Sequence, residues 1–135
     1  MTTAFLFPGQ GSQSSGMGTD LFSRYPELVK QSNEILGYSI EELCQNENDT
    51  QLNLTNYTQP ALYIVSCLQS RLFIENGKKA LFAAGHSVGE FAALECANAF
   101  SFIDGLRMVI KRGEIMSKVT GGGMAAVIGM EADQI

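Results

Sequence analysis

Gly85-His86-Ser87-Val88-Gly89 is the part of this chain whose residue types and spacing best suit covalent chemistry. It reads G-x-S-x-G and lies between a short apolar run suited to a strand and a stretch suited to a helix, the context that a nucleophile elbow requires. On such a turn the serine hydroxyl is exposed, and the flanking glycines remove Cβ atoms that would collide with nearby backbone. The Val88 N–H then points from a helix start toward the place where a substrate's carbonyl oxygen becomes negative. The alternative reading is a glycine-bounded turn that carries a solvated serine. A serine hydroxyl also needs a base, whose help supplies about 10² to 10⁴ in rate. The only histidine is His86, and neighbouring side chains diverge on a tight turn, so it is expected to support the turn or pack locally. Asp104 and Asp133 are available carboxylates, but the Ser, Asp, His order of an α/β-hydrolase needs a histidine after the serine. These 135 residues hold none, so the chain as written lacks a complete catalytic set.

The second chemical candidate is the glycine-rich loop Gly9-Gln-Gly-Ser-Gln-Ser-Ser-Gly-Met-Gly18, where the backbone is expected to need positive φ or a close approach. Gly11 to Gly16 matches the opening of a phosphate-binding P-loop, yet Met17 and Gly18 stand where a lysine and a hydroxyl residue would be needed. G-x-G-x-x-G fails as well, because Ser14 occupies the third glycine position. A nucleotide is therefore not the expected ligand of this loop.

The elements that must position these residues follow from periodicity and caps. Ala4 to Phe7 reads as a buried strand ended by Pro8-Gly9. A helix is expected from Tyr25-Pro26 to Gly37, with Leu28, Val29, Ile35 and Leu36 on one side. Ser39 with Glu42 reads as a capping box. Thr58-Gln59-Pro60 is expected to open a longer helix that runs to about Glu75 and stops at Asn76-Gly77. Its apolar positions cover more than one face, as in a helix buried between layers. Ala80 to Ala84 suits a central parallel strand, followed by a helix from about Glu90 to Asn98 and another from Ser101 to about Lys118. Gly121-Gly122-Gly123 reads as a hinge, and Met124 to Met130 as a new strand. Strands alternating with helices indicate α/β layering around a mainly parallel sheet.

Composition narrows the function classes. With 45% hydrophobic and 17% charged residues the chain is globular in character. Nine Lys and Arg against 14 Asp and Glu give a net charge of −5, which argues against nucleic-acid binding. Cys44, Cys67 and Cys96 are odd in number and lack C-x-x-C spacing, so buried, reduced thiols are expected, with no disulfide framework and no metal site. The N-terminus has no basic region before its short apolar run, and no stretch approaches the ~20 apolar residues of a membrane helix. A cytoplasmic protein without membrane attachment is the expectation.

Five segments, in order, carry a resemblance: Phe7-Pro-Gly-Gln-Gly-Ser-Gln13, Thr58-Gln-Pro-Ala-Leu62, Gly85-His-Ser-Val-Gly-Glu90, Lys111-Arg-Gly-Glu114 and Gly122-Gly-Met-Ala-Ala-Val-Ile-Gly129. Together they resemble the malonyl-CoA:acyl carrier protein transacylase family, over essentially the whole chain but only the N-terminal part of family members. The resemblance implies an α/β fold in which a hydrolase-like large subdomain with a parallel sheet is interrupted by a ferredoxin-like small one. Residues 1–123 would be the N-terminal part of the large subdomain and 124–135 the start of the small one. It implies Ser87 as the acylated catalytic nucleophile, the Gln10 and Val88 amides as the oxyanion hole, and Arg112 as the grip on the malonyl carboxylate. Gln59 matches a family glutamine near the active site; its other reading is a residue that merely precedes a helix-starting proline. The wheel of the last helix is compatible with the arginine's role: Leu106, Val109 and Ile110 share a buried side, with Arg112 at its margin and Arg107 and Lys111 elsewhere.

The implied partners are malonyl-CoA, an acyl carrier protein and a polyketide synthase, with no cofactor. The family's catalytic base is a histidine far downstream of the serine, and this chain ends before it, so a truncated and inactive fragment is expected. Val88 in place of the leucine common in fatty-acid versions, the Gly121 to Gly123 run and the segment from Gly37 to Cys44 look closer to free-standing acyltransferases that serve polyketide synthases in trans. Two other functions stay open at this point: an acyl hydrolase that clears carrier proteins, and a non-catalytic fragment that docks a carrier.

Overall fold

The computed structural model describes residues 3–46, 50–122 and 127–134. In chain order the elements are β1 (Ala4–Phe7), α1 (Thr19–Phe22), α2 (Pro26–Leu36), α3 (Ile40–Gln45), a 3-10 turn (Thr50–Asn53), α4 (Thr55–Glu75), β2 (Phe82–Gly85), α5 (Gly89–Cys96), α6 (Phe102–Ser117) and a final 3-10 turn (Ala132–Gln134). β1 and β2 pair in parallel, with Ala4 opposite Phe82 and Phe7 opposite Gly85. The parallel α/β arrangement anticipated from the alternation of elements is therefore present.

The core lies on one side of this two-stranded sheet. Phe5 and Phe7 turn inward from β1 and are buried, and the Phe5 ring meets Phe73 of α4 at 5.9 Å between centroids. α4 is the central helix. Ala61, Ile64, Cys67 and Leu68 are fully buried along it, and α5 and α6 pack against it. Tyr63 stacks on Phe102 of α6 and donates its hydroxyl to the Phe102 carbonyl at 3.0 Å. Arg71 of α4 and the buried Glu95 of α5 form an ion pair, with the Arg71 guanidinium also 5.4 Å from the centre of the Phe102 ring. That pairing satisfies a carboxylate which could not otherwise leave water cheaply.

Several boundaries follow their local signals. α2 starts with Pro26 in its first turn and stops where Gly37 takes φ +77°. Ser39 caps α3 by accepting from the Glu42 amide at 3.2 Å, and Ser101 caps α6 by accepting from the Asp104 amide at 3.1 Å. α5 runs from Gly89 to Cys96, and Asn98 just beyond it adopts φ +59°, a left-handed turn that asparagine tolerates better than most residues.

Other expectations need correction. α4 begins at Thr55, so Pro60 lies inside the helix. The ring costs one backbone hydrogen bond there. The added turn is tied down by the Thr58 hydroxyl, which lies 2.6 Å from the Leu52 carbonyl and 3.0 Å from the Leu54 carbonyl. β2 begins at Phe82, later than expected, and is solvent-facing, with Leu81 and Phe82 exposed. A strand buried on both faces needs layers on both sides, and among the described residues helices cover only one. The first three residues of the strand expected from Met124 to Met130 and the last glycine of the hinge fall outside the described residues. Residues 127–130, which are described, form no strand.

Candidate active site

Ser87 sits between the end of β2 and the start of α5 with φ +54°, one of two non-glycine residues at positive φ among the described residues. A left-handed backbone at a residue with a Cβ costs of order 1 to 3 kcal/mol and persists only where its surroundings enforce it. They do so here through close approach. The His86 amide donates to the Phe7 carbonyl at 2.9 Å, and the Gly89 amide closes the turn on the His86 carbonyl at 2.9 Å. A Cβ on Gly85 would stand 2.1 Å from the Gly89 carbonyl carbon, and one on Gly89 would stand 2.3 Å from the Phe7 oxygen. Both glycines of the motif are thus required by contact between the elbow, α5 and the end of β1. Ser87 is exposed, while the adjacent Val88 is buried.

His86 has the local place expected of it. Its ring lies against Gly9, where an added Cβ would meet Nδ1 at 2.6 Å. The glycine loop therefore leaves β1 directly beside the elbow. Gly11, Gly16 and Gly18 in this loop have φ between +81° and +105°. Among the described residues, neither the Gln10 nor the Val88 backbone N–H donates to a protein acceptor. Gln10 does use its side chain: Nε2 donates to Thr55 Oγ1 at 3.1 Å.

Arg112 comes from α6 to the same place. Its Nη2 donates to Ser87 Oγ at 3.0 Å, and its Nη1 donates to Gln59 Oε1 at 2.7 Å. Gln59 is itself fully buried, and its amide Nε2 is 3.4 Å from Met116 Sδ. Gln59 can reach Arg112 because α4 and α6 lie unusually close at this level: a Cβ on Gly113 would be 3.1 Å from Asn56 Cα and 3.2 Å from the Thr55 carbonyl oxygen. Arg112 is half-buried. Among the described residues no carboxylate lies within ion-pair distance of it. Glu114, the nearest acid in sequence, is instead held by Lys118 and Lys111, whose hydrogen bonds keep its carboxyl below the usual range. Arg112 is a cation with a neutral amide and a serine hydroxyl for company, so an anionic group on a small molecule could find an open partner beside Ser87.

The five residues singled out from sequence thus fall in one place, with Ser87, Gln59 and Arg112 in one hydrogen-bonded chain and Gln10 and Val88 on the two segments that meet at the elbow. Thr55, Asn53, Gln13 and Met116 were not anticipated. The Gln and Thr residues around the glycine loop and the start of α4 were a signal for Gln13 and Thr55; Asn53 and Met116 had none. Among the described residues, no group of three or more His, Cys, Asp or Glu comes together to hold a metal ion, and no helix is long and apolar enough to cross a membrane.

Known proteins resemble this chain. The acyl transferase domain family matches residues 4–134. The polyketide biosynthesis protein PksE of Bacillus subtilis is 54% identical over 132 residues, which are 97% of this chain and 17% of PksE. The polyketide biosynthesis malonyl CoA-acyl carrier protein transacylase PksC of the same organism is 51% identical over 132 residues, 97% of this chain and 46% of PksC. The crystal structure of malonyl CoA-acyl carrier protein transacylase from Burkholderia pseudomallei superposes with a TM-score of 0.85 at 47% identity, covering 87% of this chain and 41% of that one. The chain thus spans less than half the length of these relatives. With an elbow serine, a glycine loop against it and the family match over nearly its whole length, the chain belongs to the acyl transferase domain family.

Proposed function

We propose that the protein containing this chain transfers a malonyl group from malonyl-CoA to the phosphopantetheine thiol of an acyl carrier protein, through an ester on Ser87. The observation that carries this reading is the Arg112 guanidinium, 3.0 Å from the serine oxygen and without a carboxylate partner among the described residues. A malonyl thioester has its free carboxylate one carbon from the carbonyl under attack, so one short acyl chain can occupy both groups. Gln59 holds the other arm of the guanidinium and leaves its remaining donors for the carboxylate.

The steps follow from these positions. Ser87 Oγ attacks the thioester carbonyl, and the Gln10 and Val88 amides take up the negative charge that forms on its oxygen, each worth about 3 to 4 kcal/mol. The carbon–sulfur bond breaks, and the serine proton passes by way of a base to the departing coenzyme A sulfur. The carrier's thiol then attacks the ester, giving its proton to the base and hence to Ser87. His86 packs on Gly9 and does not serve as that base. A histidine elsewhere in the full-length protein does, and the 135 residues alone are expected not to turn over.

On this reading residues 1–123 are the first part of a hydrolase-like large subdomain, and 124–135 begin a ferredoxin-like small one. The protein works in the cytoplasm, and the polyketide names of its relatives, with Val88 in the motif, favour polyketide synthesis over fatty acid synthesis. An acyl hydrolase for uncharged chains would have no use for Arg112. The test is to give the full-length protein malonyl-CoA and a carrier bearing its phosphopantetheine. Malonyl-carrier should accumulate with ping-pong kinetics; release of free malonate with no carrier product would mean hydrolysis.

A further inference from the structure

The first turn of α4 touches both halves of the site. Thr55 Oγ1 accepts from Gln10 Nε2 at 3.1 Å. Two residues earlier, Asn53 Oδ1 accepts from Gln13 Nε2 at 3.1 Å, while Gln13 Oε1 accepts from the Gly11 amide at 2.7 Å. One turn later Gln59 holds Arg112, and the backbone of Thr55 and Asn56 is the surface against which Gly113 packs. The segment from Asn53 to Gln59 is therefore bonded to the glycine loop at one end and to the arginine at the other. Elsewhere the loop is held by the Gly9 carbonyl, which accepts from the Ser12 amide at 3.3 Å and the Ser12 hydroxyl at 2.7 Å, and by the Gly16 amide, which donates to the Cys44 carbonyl at 2.7 Å. Between these points Gly11 is at positive φ, and a glycine leaves a backbone many alternatives.

We propose that Thr55 is a positioning residue for acyl transfer, with Asn53 as its second: through the side chains of Gln10 and Gln13 they hold the loop so that the Gln10 amide stays aimed at the oxygen of the acyl group on Ser87. Thr55 touches no substrate and acts only through Gln10. The proposal rests on the functional reading above. Its chemistry is the ordinary one of a preorganised donor. An amide fixed before the reaction stabilises the developing charge without reorganisation, and an amide that wanders by an ångström loses much of that effect. Threonine suits the task because its methyl can be kept when the hydroxyl is removed, so position and hydrogen bond can be tested apart.

The test uses the full-length protein with Thr55→Val, Thr55→Ser and Gln10→Ala, alone and with Gln10→Ala combined with Thr55→Val. The rate of malonyl loading onto Ser87 should fall about tenfold in Thr55→Val, with KM for malonyl-CoA and the preference for malonyl over acetyl unchanged, because Arg112 and Gln59 are untouched. Thr55→Ser should restore the rate, and the double variant should be no slower than the slower single. Amide hydrogen exchange in residues 10–13 should quicken in Thr55→Val and not in Thr55→Ser. Wild-type loading in Thr55→Val, failure of Thr55→Ser to rescue, or losses that multiply in the double variant would overturn the proposal. Should the wild-type protein take no malonyl at all, the functional reading fails first; exchange in residues 10–13 that Thr55→Val leaves unchanged would still overturn the latch.

Discussion

Arg112 Nη2 donates to Ser87 Oγ at 3.0 Å across a gap of 25 residues in sequence, and this contact joins the two chemical abilities of the site. The serine supplies an oxygen that can form an ester, and the arginine supplies a charge that only certain esters can use. The guanidinium is aimed by Gln59 and is left without a carboxylate among the described residues. Half-buried and without a carboxylate beside it, the guanidinium keeps donors open to an anion that comes from outside the chain.

If Arg112 reads a carboxylate, Arg112→Ala in the full-length protein should lower kcat/KM for malonyl-CoA by about 10²-fold, the value of a charge-assisted hydrogen bond pair. Transfer of acetyl, which has no carboxylate, should change by no more than a few fold. Steady-state kinetics with the two thioesters gives the ratio, and equal losses for both would assign Arg112 to the architecture of the elbow.

The left-handed backbone at Ser87 makes a separable prediction about stability. Ser87→Gly and Ser87→Ala should both abolish loading, yet the glycine variant should be the more stable of the two by about 1 kcal/mol, because only it escapes the Cβ cost at φ +54°. Urea denaturation of the two variants provides the comparison. Equal midpoints would show that the turn is not strained.

The Arg71–Glu95 pair should matter to folding and not to chemistry. Glu95 is 7% exposed and Arg71 29%, so removing one partner leaves the other charge partly out of water. Glu95→Gln should cost about 2 kcal/mol, below the ~3 to 5 of a fully buried pair because Arg71 retains some solvent. Arg71→Met combined with Glu95→Gln should recover part of that loss in the same denaturation assay. Additive losses would argue against direct coupling.

Burial pushes the Cys44 thiol up to about 12 from its ordinary 9.0, and the Cys67 thiol is raised by burial as well. The folded state thus keeps protons that the unfolded chain releases. The stability these thiols contribute is whole below about pH 9 and is lost as pH climbs toward 12, since the unfolded state then binds fewer protons. Unfolding midpoints should fall over that interval, and Cys44→Ala should flatten the decline. In native protein at pH 8 a thiol reagent should reach Cys96 before Cys44 or Cys67.

Much of this was legible beforehand because it depends on local chemistry. Ser39 and Ser101 cap where a serine three residues ahead of an acid should, Gly37 ends its helix, and the elbow lies where glycines bracket a serine between strand and helix. The start of α4 was hidden, since Pro60 normally marks a helix's first turn, and only the Thr58 hydroxyl bonded back toward Leu52 explains the turn before it. Contacts between distant segments had no signature in spacing. That Gln10 reaches Thr55, or that Gln59 spends its carbonyl on Arg112, depends on how loop, α4 and α6 pack. That no layer covers the outer face of β2 among the described residues was likewise unreadable, because an apolar run does not record what lies over it.

The central claim is that Ser87 carries the acyl group. Full-length protein mixed with malonyl-CoA, quenched in acid and digested should show the malonyl mass on the peptide containing Ser87, and no such adduct in Ser87→Ala. Malonyl found on another residue, or none on a protein that still delivers malonyl to the carrier, would contradict the account.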